Sequence, residues 1–136
     1  MAFREKTAWI SLLATLGIYG FYFSALASAR GNSAEFFALL IETMITFVVV
    51  FVALTIVVAI LSPKDADAPA DEREKLIGLK AERVAYYAVS TGAVAGMLAA
   101  FCGLSGFWIA NVLFLTLVVA GLAKDAMCIV LYRAGV

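Results

Sequence analysis

Four long apolar stretches, separated by polar segments, dominate the order of residues in this chain. They run from about residue 8 to 29, 36 to 61, 84 to 107 and 108 to 131. A helix crosses the hydrocarbon core of a bilayer with about 20 mostly apolar residues. The pattern therefore predicts an all-α integral membrane protein in which residues 1–136 form a single domain, a four-transmembrane-helix bundle.

Two of the segments between these stretches are short, and one is long. Residues 30–33 combine turn-forming residues with Ser33, which is a good N-cap for the second helix. The uncharged residues 103–106 predict a tight hairpin between the third and fourth helices. Residues 62–83 form a polar connector that contains both prolines and more than half of the acidic residues.

The second half of the connector predicts a helix that is continuous with the third span. Asp71 can cap its N-terminus, and Glu74 follows three residues later, as in a capping box. Asp71 and Lys75 have the spacing of an ion pair on one helix face. Several side chains are expected at the membrane surface: Leu76, Ile77, Leu79, Lys80 and Arg83, with Tyr86 and Tyr87 as interfacial anchors.

Composition supports a membrane protein and excludes other classes. Hydrophobic residues make up 65% of the chain and charged residues 15%, and the mean hydropathy is +1.03. A soluble domain has about 45–50% apolar and about 25% charged residues. The 10 basic residues are balanced by 10 acidic ones. We therefore expect membrane lipid as the main surroundings and no direct nucleic-acid binding.

Lys and Arg residues cluster on one side of the predicted bundle. Arg4 and Lys6 precede the first span, five more lie in the connector and Arg133 follows the last span, whereas only Arg30 lies opposite. Basic residues favour the cytoplasmic side, so both termini and the connector are predicted to be cytoplasmic. Ala27-Ser28-Ala29 resembles a signal-peptide cleavage site, but the preceding apolar run is long for a signal peptide. We expect the first span to be retained.

Residue types needed for catalysis and metal binding are scarce. The sequence contains no His and two Cys, Cys102 and Cys128. The predicted spans place these thiols near opposite membrane faces, too far apart for a disulfide. The sequence lacks a metal-ligand spacing, a nucleophile beside a base and a Gly-rich phosphate loop. It therefore predicts a non-enzymatic protein without a cofactor or metal.

Three charged residues, Glu42, Lys124 and Asp125, lie inside the predicted spans. A charge at mid-span costs about 2.5–3.5 kcal/mol and marks a candidate functional site. Glu42 is expected at the depth of Tyr22 and Ser24 in the first span and of Asn111 in the fourth, with Thr46 one turn below. A carboxyl group buried in such a cluster favours its protonated form. The alternative is a set of purely structural hydrogen bonds.

Asp125 and Lys124 lie near the cytoplasmic end of the fourth span. The Lys124 side chain is long enough to reach the interface. Asp125 matches Lys80 and Arg83 in depth. It is expected either to tie the connector helix to the fourth helix or to make a structural hydrogen bond only.

Small residues in the third span indicate close helix packing. Gly92 and Gly96 form a GxxxG pair, and small side chains recur at helical spacing on the same ridge. Such ridges let two helices approach closely in lipid. Packing against neighbouring helices of the same chain and homodimer formation both remain open at this point.

The connector also carries a resemblance to known proteins. Residues 71–87 read Asp-Glu-Arg-Glu-x-Leu-Ile-x-Leu-Lys-Ala-x-Arg-x-x-Tyr-Tyr. This run resembles the box before the third helix in a family of small uncharacterised bacterial four-helix membrane proteins, which are often encoded next to a helix-turn-helix regulator. The resemblance covers about 17 residues and the four-span layout. It implies a multi-pass protein of the bacterial inner (plasma) membrane, coupled to gene regulation, and it implies no substrate.

These observations favour a membrane regulator or interaction protein with a cytoplasmic protein partner, such as a transcription regulator. The residues expected to bind that partner are Asp71, Glu72, Arg73, Glu74, Lys75, Lys80 and Arg83. The alternative is a small proton-coupled transporter using Glu42, because four-helix multidrug transporters are similarly short and use an embedded Glu. This chain departs from them in placing its Glu in the second span and in its long connector.

Overall fold

The chain folds into long α-helices. The structure is a computed structural model that describes residues 3–28, 33–63, 69 and 71–135. Within these ranges four helices form: α1 (Phe3–Ser28), α2 (Ser33–Leu61), α3 (Glu72–Phe101) and α4 (Gly106–Ala134). All four contain a span long and apolar enough to cross a membrane. The prediction of an all-α protein with four candidate membrane spans is confirmed.

Two helices begin well before their apolar stretches. α1 begins at Phe3, and the Thr7 hydroxyl donates to the Phe3 carbonyl at 3.0 Å. Polar residues such as Arg, Glu and Lys are good helix formers, so a change in polarity does not end a helix. For the same reason α3 begins in the connector and runs unbroken from Glu72 to Phe101. The connector helix and the third apolar stretch are therefore one helix.

The turn between α3 and α4 lies earlier than the apolar stretches indicate. The third stretch extends to residue 107, but α3 ends at Phe101 and α4 already begins at Gly106. Gly103 has φ +79°, a left-handed conformation that favours glycine and ends the helix. The N–H of Leu104 then donates to the Ala99 carbonyl at 3.1 Å. The hairpin predicted at residues 103–106 forms, with its last residue inside α4.

Two compact units divide the chain at its connector, Met1–Pro69 and Ala70–Val136. The first unit is a hairpin of α1 and α2, here called the N-terminal hairpin. Within it the Tyr19 and Phe47 ring centroids are 5.0 Å apart. At its open end the Lys6 ammonium donates to the Ser62 hydroxyl at 3.0 Å.

The second unit is a hairpin of α3 and α4, here called the C-terminal hairpin, and its helices approach closely at two glycines. A Cβ added to Gly92 would overlap the side chain of Thr116 on α4, and one added to Gly96 would lie 2.7 Å from the Leu113 Cδ2. The GxxxG pair thus lies against α4 of the same chain.

Large apolar side chains remain exposed along all four helices. In α2 none of the most apolar 18-residue window is buried. A soluble protein rarely leaves a contiguous apolar surface of this extent in water. Lipid is the solvent that such a surface suits.

Candidate functional site

Polar contacts are concentrated at the start of α3. Its N-cap Asp71 and its residues 72–83 are here called the box helix. The Asp71 carboxylate accepts a hydrogen bond from the backbone N–H of Glu74 at 2.7 Å, which caps the helix. α3 has 30 residues and is therefore about 45 Å long. A hydrocarbon core is about 30 Å thick. About 15 Å of α3 can thus project beyond the core, roughly the length of the box helix.

One face of the box helix is buried. Ile77 is 2% exposed and Ala81 is fully buried. Both lie on the side of α3 that carries Gly92 and Gly96 further along, which is the side facing α4. Ile77 is therefore buried within the protein, and its expected level at the membrane surface stays a prediction.

Polar contacts attach the box helix to the C-terminal part of α4. The Arg73 guanidinium donates to the Tyr132 carbonyl at 3.3 Å, and the Tyr132 hydroxyl donates to the Glu74 carboxylate at 3.4 Å. Near the end of the box helix, the Lys124 ammonium lies 3.8 Å from the Glu82 carboxylate. These polar contacts occur near both ends of the segment, and between them Ile77 and Ala81 are buried.

Sequence reasoning missed Tyr132 and mispaired a lysine. The Lys75 ammonium lies 3.2 Å from the Glu72 carboxylate, and not on Asp71 as its spacing predicts. Asp71 is instead engaged by the Glu74 N–H at the helix cap. Tyr132 is an aromatic residue in the last turns of α4, and only the pairing of the two helices shows that it reaches Glu74.

The opposite face of the box helix is open and mixed in character. Leu76 is 56% and Leu79 62% exposed. Lys80 and Arg83 are also exposed on this segment. Together with the exposed Glu72, these residues form the surface here called the outer face. It combines two large apolar side chains with charges of both signs.

The predicted partner-binding residues therefore divide into two groups. Arg73 and Glu74 make contacts with α4, and Asp71 caps the helix. The other four have no contact with α4 described here for them and are exposed, as Asp71 and Arg73 also are: Glu72, Lys75, Lys80 and Arg83. The two leucines between them carry no charge and did not enter the predicted set.

Asp125 is half-buried on α4, next to Lys124. The sequence predicts an interaction between Asp125 and Arg83. Each of these residues follows a member of an observed pair, because the side chains of Lys124 and Glu82 are in contact. Lys124 thus links α4 to the box helix. The Asp125–Arg83 tie itself stays a prediction.

Glu42 lies in a groove of the N-terminal hairpin. The Ser24 hydroxyl donates to the Phe21 carbonyl at 2.8 Å, and Tyr22 is buried. Neither lines the groove, whereas Thr46 does. The Asn111 amide donates to the Phe107 carbonyl of its own helix at 2.9 Å.

Metal-ligating and thiol groups are sparse in the part of the chain that the structure describes. Among those residues there is no group of three or more His, Cys, Asp or Glu able to hold a metal ion. Cys102 is exposed and Cys128 half-buried, and neither of them forms a disulfide.

Fold and composition define a helical protein with four candidate membrane spans. No family model, no curated protein and no solved structure matches the chain. The resemblance of the box to a bacterial membrane-protein family stays a prediction.

Proposed function

We propose that this chain is a small, non-enzymatic protein of the bacterial inner membrane that recruits a cytoplasmic protein through the box helix. In this proposal both termini and the box helix face the cytoplasm, and four helices span the membrane. The partner is a soluble protein, with a transcription regulator as the type that the box resemblance implies.

The main support for this proposal is the exposure of Leu76 and Leu79 on a helix whose other face is buried. Recognition of a helix commonly uses apolar side chains at i, i+3 and i+4 spacing, inserted into a groove of the partner. A few such anchors supply most of the binding energy. Because contacts to α4 already hold the box helix, little conformational freedom is lost when a partner binds.

The charges of the outer face supply specificity. Glu72, Lys80 and Arg83 share this face with the two leucines, and the exposed Lys75 pairs with Glu72. Charges at the rim of an interface change the rate and choice of association more than its affinity. A partner with a complementary arrangement of both signs is therefore favoured over a uniformly acidic or basic surface.

Site-specific photocrosslinking in cells tests the proposal. A photoreactive amino acid replaces Leu79 in one variant and Leu104, an exposed residue of the α3–α4 turn, in the control. We expect a crosslink to one cytoplasmic protein from position 79 and none from position 104. Equal labelling from both positions, or labelling of lipid alone, would refute recruitment through the box helix.

Quantitative binding then separates the leucines from the charges. With the identified partner and the full chain in lipid nanodiscs, the Leu76→Gln variant should bind at least about tenfold more weakly, as expected for an anchor residue. Glu72→Lys should mainly alter the association rate and its dependence on salt. Unchanged affinity in Leu76→Gln would remove the leucine from the interface.

Transport by the same chain is the second candidate, favoured by the groove around Glu42. In this alternative the chain is a small proton-coupled, multidrug-type transporter that uses Glu42. Flux of an organic cation against a proton gradient in proteoliposomes, lost in Glu42→Gln, is the expected result. Equal flux in Glu42→Gln and the unaltered chain would exclude it.

A further inference from the structure

A second groove lies within the C-terminal hairpin, here called the α3–α4 groove, and its lining is mostly apolar. Its volume is about 560 Å³, within the range of about 300–1,000 Å³ usual for ligand pockets. Thr116, one of its polar side chains, donates its hydroxyl to the Val112 carbonyl at 2.9 Å, so it needs no polar ligand. The groove therefore suits an apolar chain. Its lining includes Val84, Ala88 and Gly92 on α3, and Val112, Leu115 and Val119 on α4.

The α3–α4 groove is open to the surroundings of the protein and runs along the helices. Leu115 and Val119 line it and are exposed. Its lining on α3 extends from Val84 to Gly92, about 12 Å along the helix axis. In a membrane, the acyl chains of neighbouring lipids lie roughly parallel to such a helix. An acyl chain can therefore enter the groove from the side.

An aromatic residue and two basic residues lie at the end of the groove that is nearer to the box helix. Tyr87 lines the groove and is exposed. Lys80 precedes Val84 by four residues and Tyr87 by seven, so these three side chains lie on the same side of α3. Arg83 is one turn before Tyr87, and Lys80 and Arg83 are both exposed. Two positive charges thus lie beside this end of an apolar groove.

Nearby acidic residues do not neutralise Lys80. The Glu72 carboxylate lies 3.2 Å from the Lys75 ammonium, and the Glu82 carboxylate lies 3.8 Å from the Lys124 ammonium. Glu82 follows Lys80 by two residues, so it lies on the other side of α3. Among the residues that the structure describes, none forms a hydrogen bond or an ion pair with Lys80. The Lys80 ammonium is therefore available to an anion.

We propose that the α3–α4 groove binds an anionic phospholipid, with one acyl chain in the groove, the phosphate at Lys80 and Arg83, and Tyr87 at the level of the headgroup. Basic pockets between membrane helices bind anionic headgroups, and tyrosine is enriched at that level of a membrane. The site requires a membrane but no protein partner, so it stands apart from the recruitment proposed for the box helix.

Native mass spectrometry of the full chain in detergent, titrated with lipid, tests the proposal. Dioleoyl phosphatidylglycerol is the anionic probe, and dioleoyl phosphatidylcholine, which has the same acyl chains and no net charge, is the matched probe. We expect saturable binding of one phosphatidylglycerol, at least about fivefold tighter than phosphatidylcholine, the factor for one basic side chain near an anionic headgroup. Equal affinity for the two lipids, or no saturable binding, would overturn the proposal.

Two lysine variants locate the headgroup. Lys80→Gln should weaken binding of phosphatidylglycerol about fivefold and reduce the preference over phosphatidylcholine by the same factor. Lys124→Gln removes the same charge from α4, where Lys124 contacts Glu82, and should leave the preference unchanged. Equal preference in Lys80→Gln and in the unaltered chain would place the phosphate elsewhere. An equal loss in both variants would show a general effect of charge.

Two tryptophan variants locate the acyl chain. Thr91 lines the groove, whereas its neighbour Ser90 does not, and both are exposed on α3. Thr91→Trp fills the groove and should weaken binding of both lipids at least about tenfold through lost apolar contact. Ser90→Trp should bind them as the unaltered chain does. Unchanged lipid binding by Thr91→Trp would place the acyl chain outside the groove.

Folding and association are measured on the same samples. Circular dichroism reports whether each variant keeps its helices, and Lys80→Gln, an exposed substitution, tests the site without filling the groove. The mass spectra also report the oligomeric state. A lipid-free dimer that becomes monomeric in Thr91→Trp would show that a second copy of the chain occupies the groove, and it would overturn the lipid site.

Discussion

The close approach of α3 to α4 at Gly92 yields the sharpest prediction. Replacing Gly92 by Ala places a methyl group on the Thr116 side chain, whose Cβ would lie 2.5 Å from the new atom. A change of the Thr116 rotamer does not relieve this overlap, because Cβ stays fixed when χ1 turns. The two helices must separate by about 1 Å to restore an ordinary contact distance of about 3.5 Å.

The expected loss of stability follows from this separation. Overpacking of a well-packed contact costs about 1–3 kcal/mol. Alanine recovers up to about 1 kcal/mol of helix propensity relative to glycine. We therefore expect Gly92→Ala to lower the free energy of unfolding of the C-terminal hairpin by about 1–2 kcal/mol. Gly96→Ala should be milder, because its nearest neighbour is the flexible end of Leu113.

Unfolding in mixed micelles by increasing denaturing detergent, followed by circular dichroism, measures the effect. Gly121→Ala on α4 is the matched control, since its Cβ would meet no atom within 4 Å. In the double variant Gly92→Ala with Thr116→Gly, the glycine of the contact lies on α4 and no Thr116 side chain remains to overlap the new methyl group. Most of the lost stability should therefore return. If Gly92→Ala were as stable as Gly121→Ala, the close packing of α3 on α4 described here would be incorrect.

The remaining predictions concern the ends of the C-terminal hairpin. Asp71→Ala should lower its free energy of unfolding by about 1 kcal/mol through loss of the helix cap, whereas Ser105→Ala, at an N-cap without a side-chain hydrogen bond, should have a much smaller effect in the same denaturation assay. Tyr132→Phe should lower stability by about 0.5 kcal/mol and speed hydrogen exchange in the first turns of α3; unchanged exchange would contradict the tie. A double-mutant cycle on Lys124 and Glu82 should give a coupling energy below about 0.5 kcal/mol that falls as salt is added, because both side chains are exposed to a large extent. A larger coupling energy that does not depend on salt would indicate a buried ion pair instead.

Hydrophobic patterning predicts the helices of this chain well and their ends less well. The four apolar runs correspond to the four helices, each of which is long and apolar enough to cross a membrane. They do not report where a helix stops, because Arg4 and Glu72 are compatible with helix. The end of α3 is set instead by the left-handed backbone of Gly103. The hairpin predicted at residues 103–106 begins at this glycine.

The sequence predicted which residues make up the candidate site, but it did not predict which of their side chains are buried and which are exposed. The capping role of Asp71 follows from local spacing and is observed. The burial of Ile77 and Ala81 depends on which side of α3 meets α4. Their spacing continues the ridge of Gly92 and Gly96 towards the N-terminus of the helix, so extending the small-residue ridge upstream could have identified the buried face. The role of Tyr132 had no comparable signal, because it depends on the register of two helices.

The unbroken course of α3 has a mechanical consequence. α3 contains no proline and is unbroken from Glu72 to Phe101, so a rotation of its C-terminal half would turn Leu76 and Leu79 with it. Gly92 lies in that half, at the point of close approach to α4. A shift of α3 against α4 at Gly92 would therefore change the direction in which the outer face points.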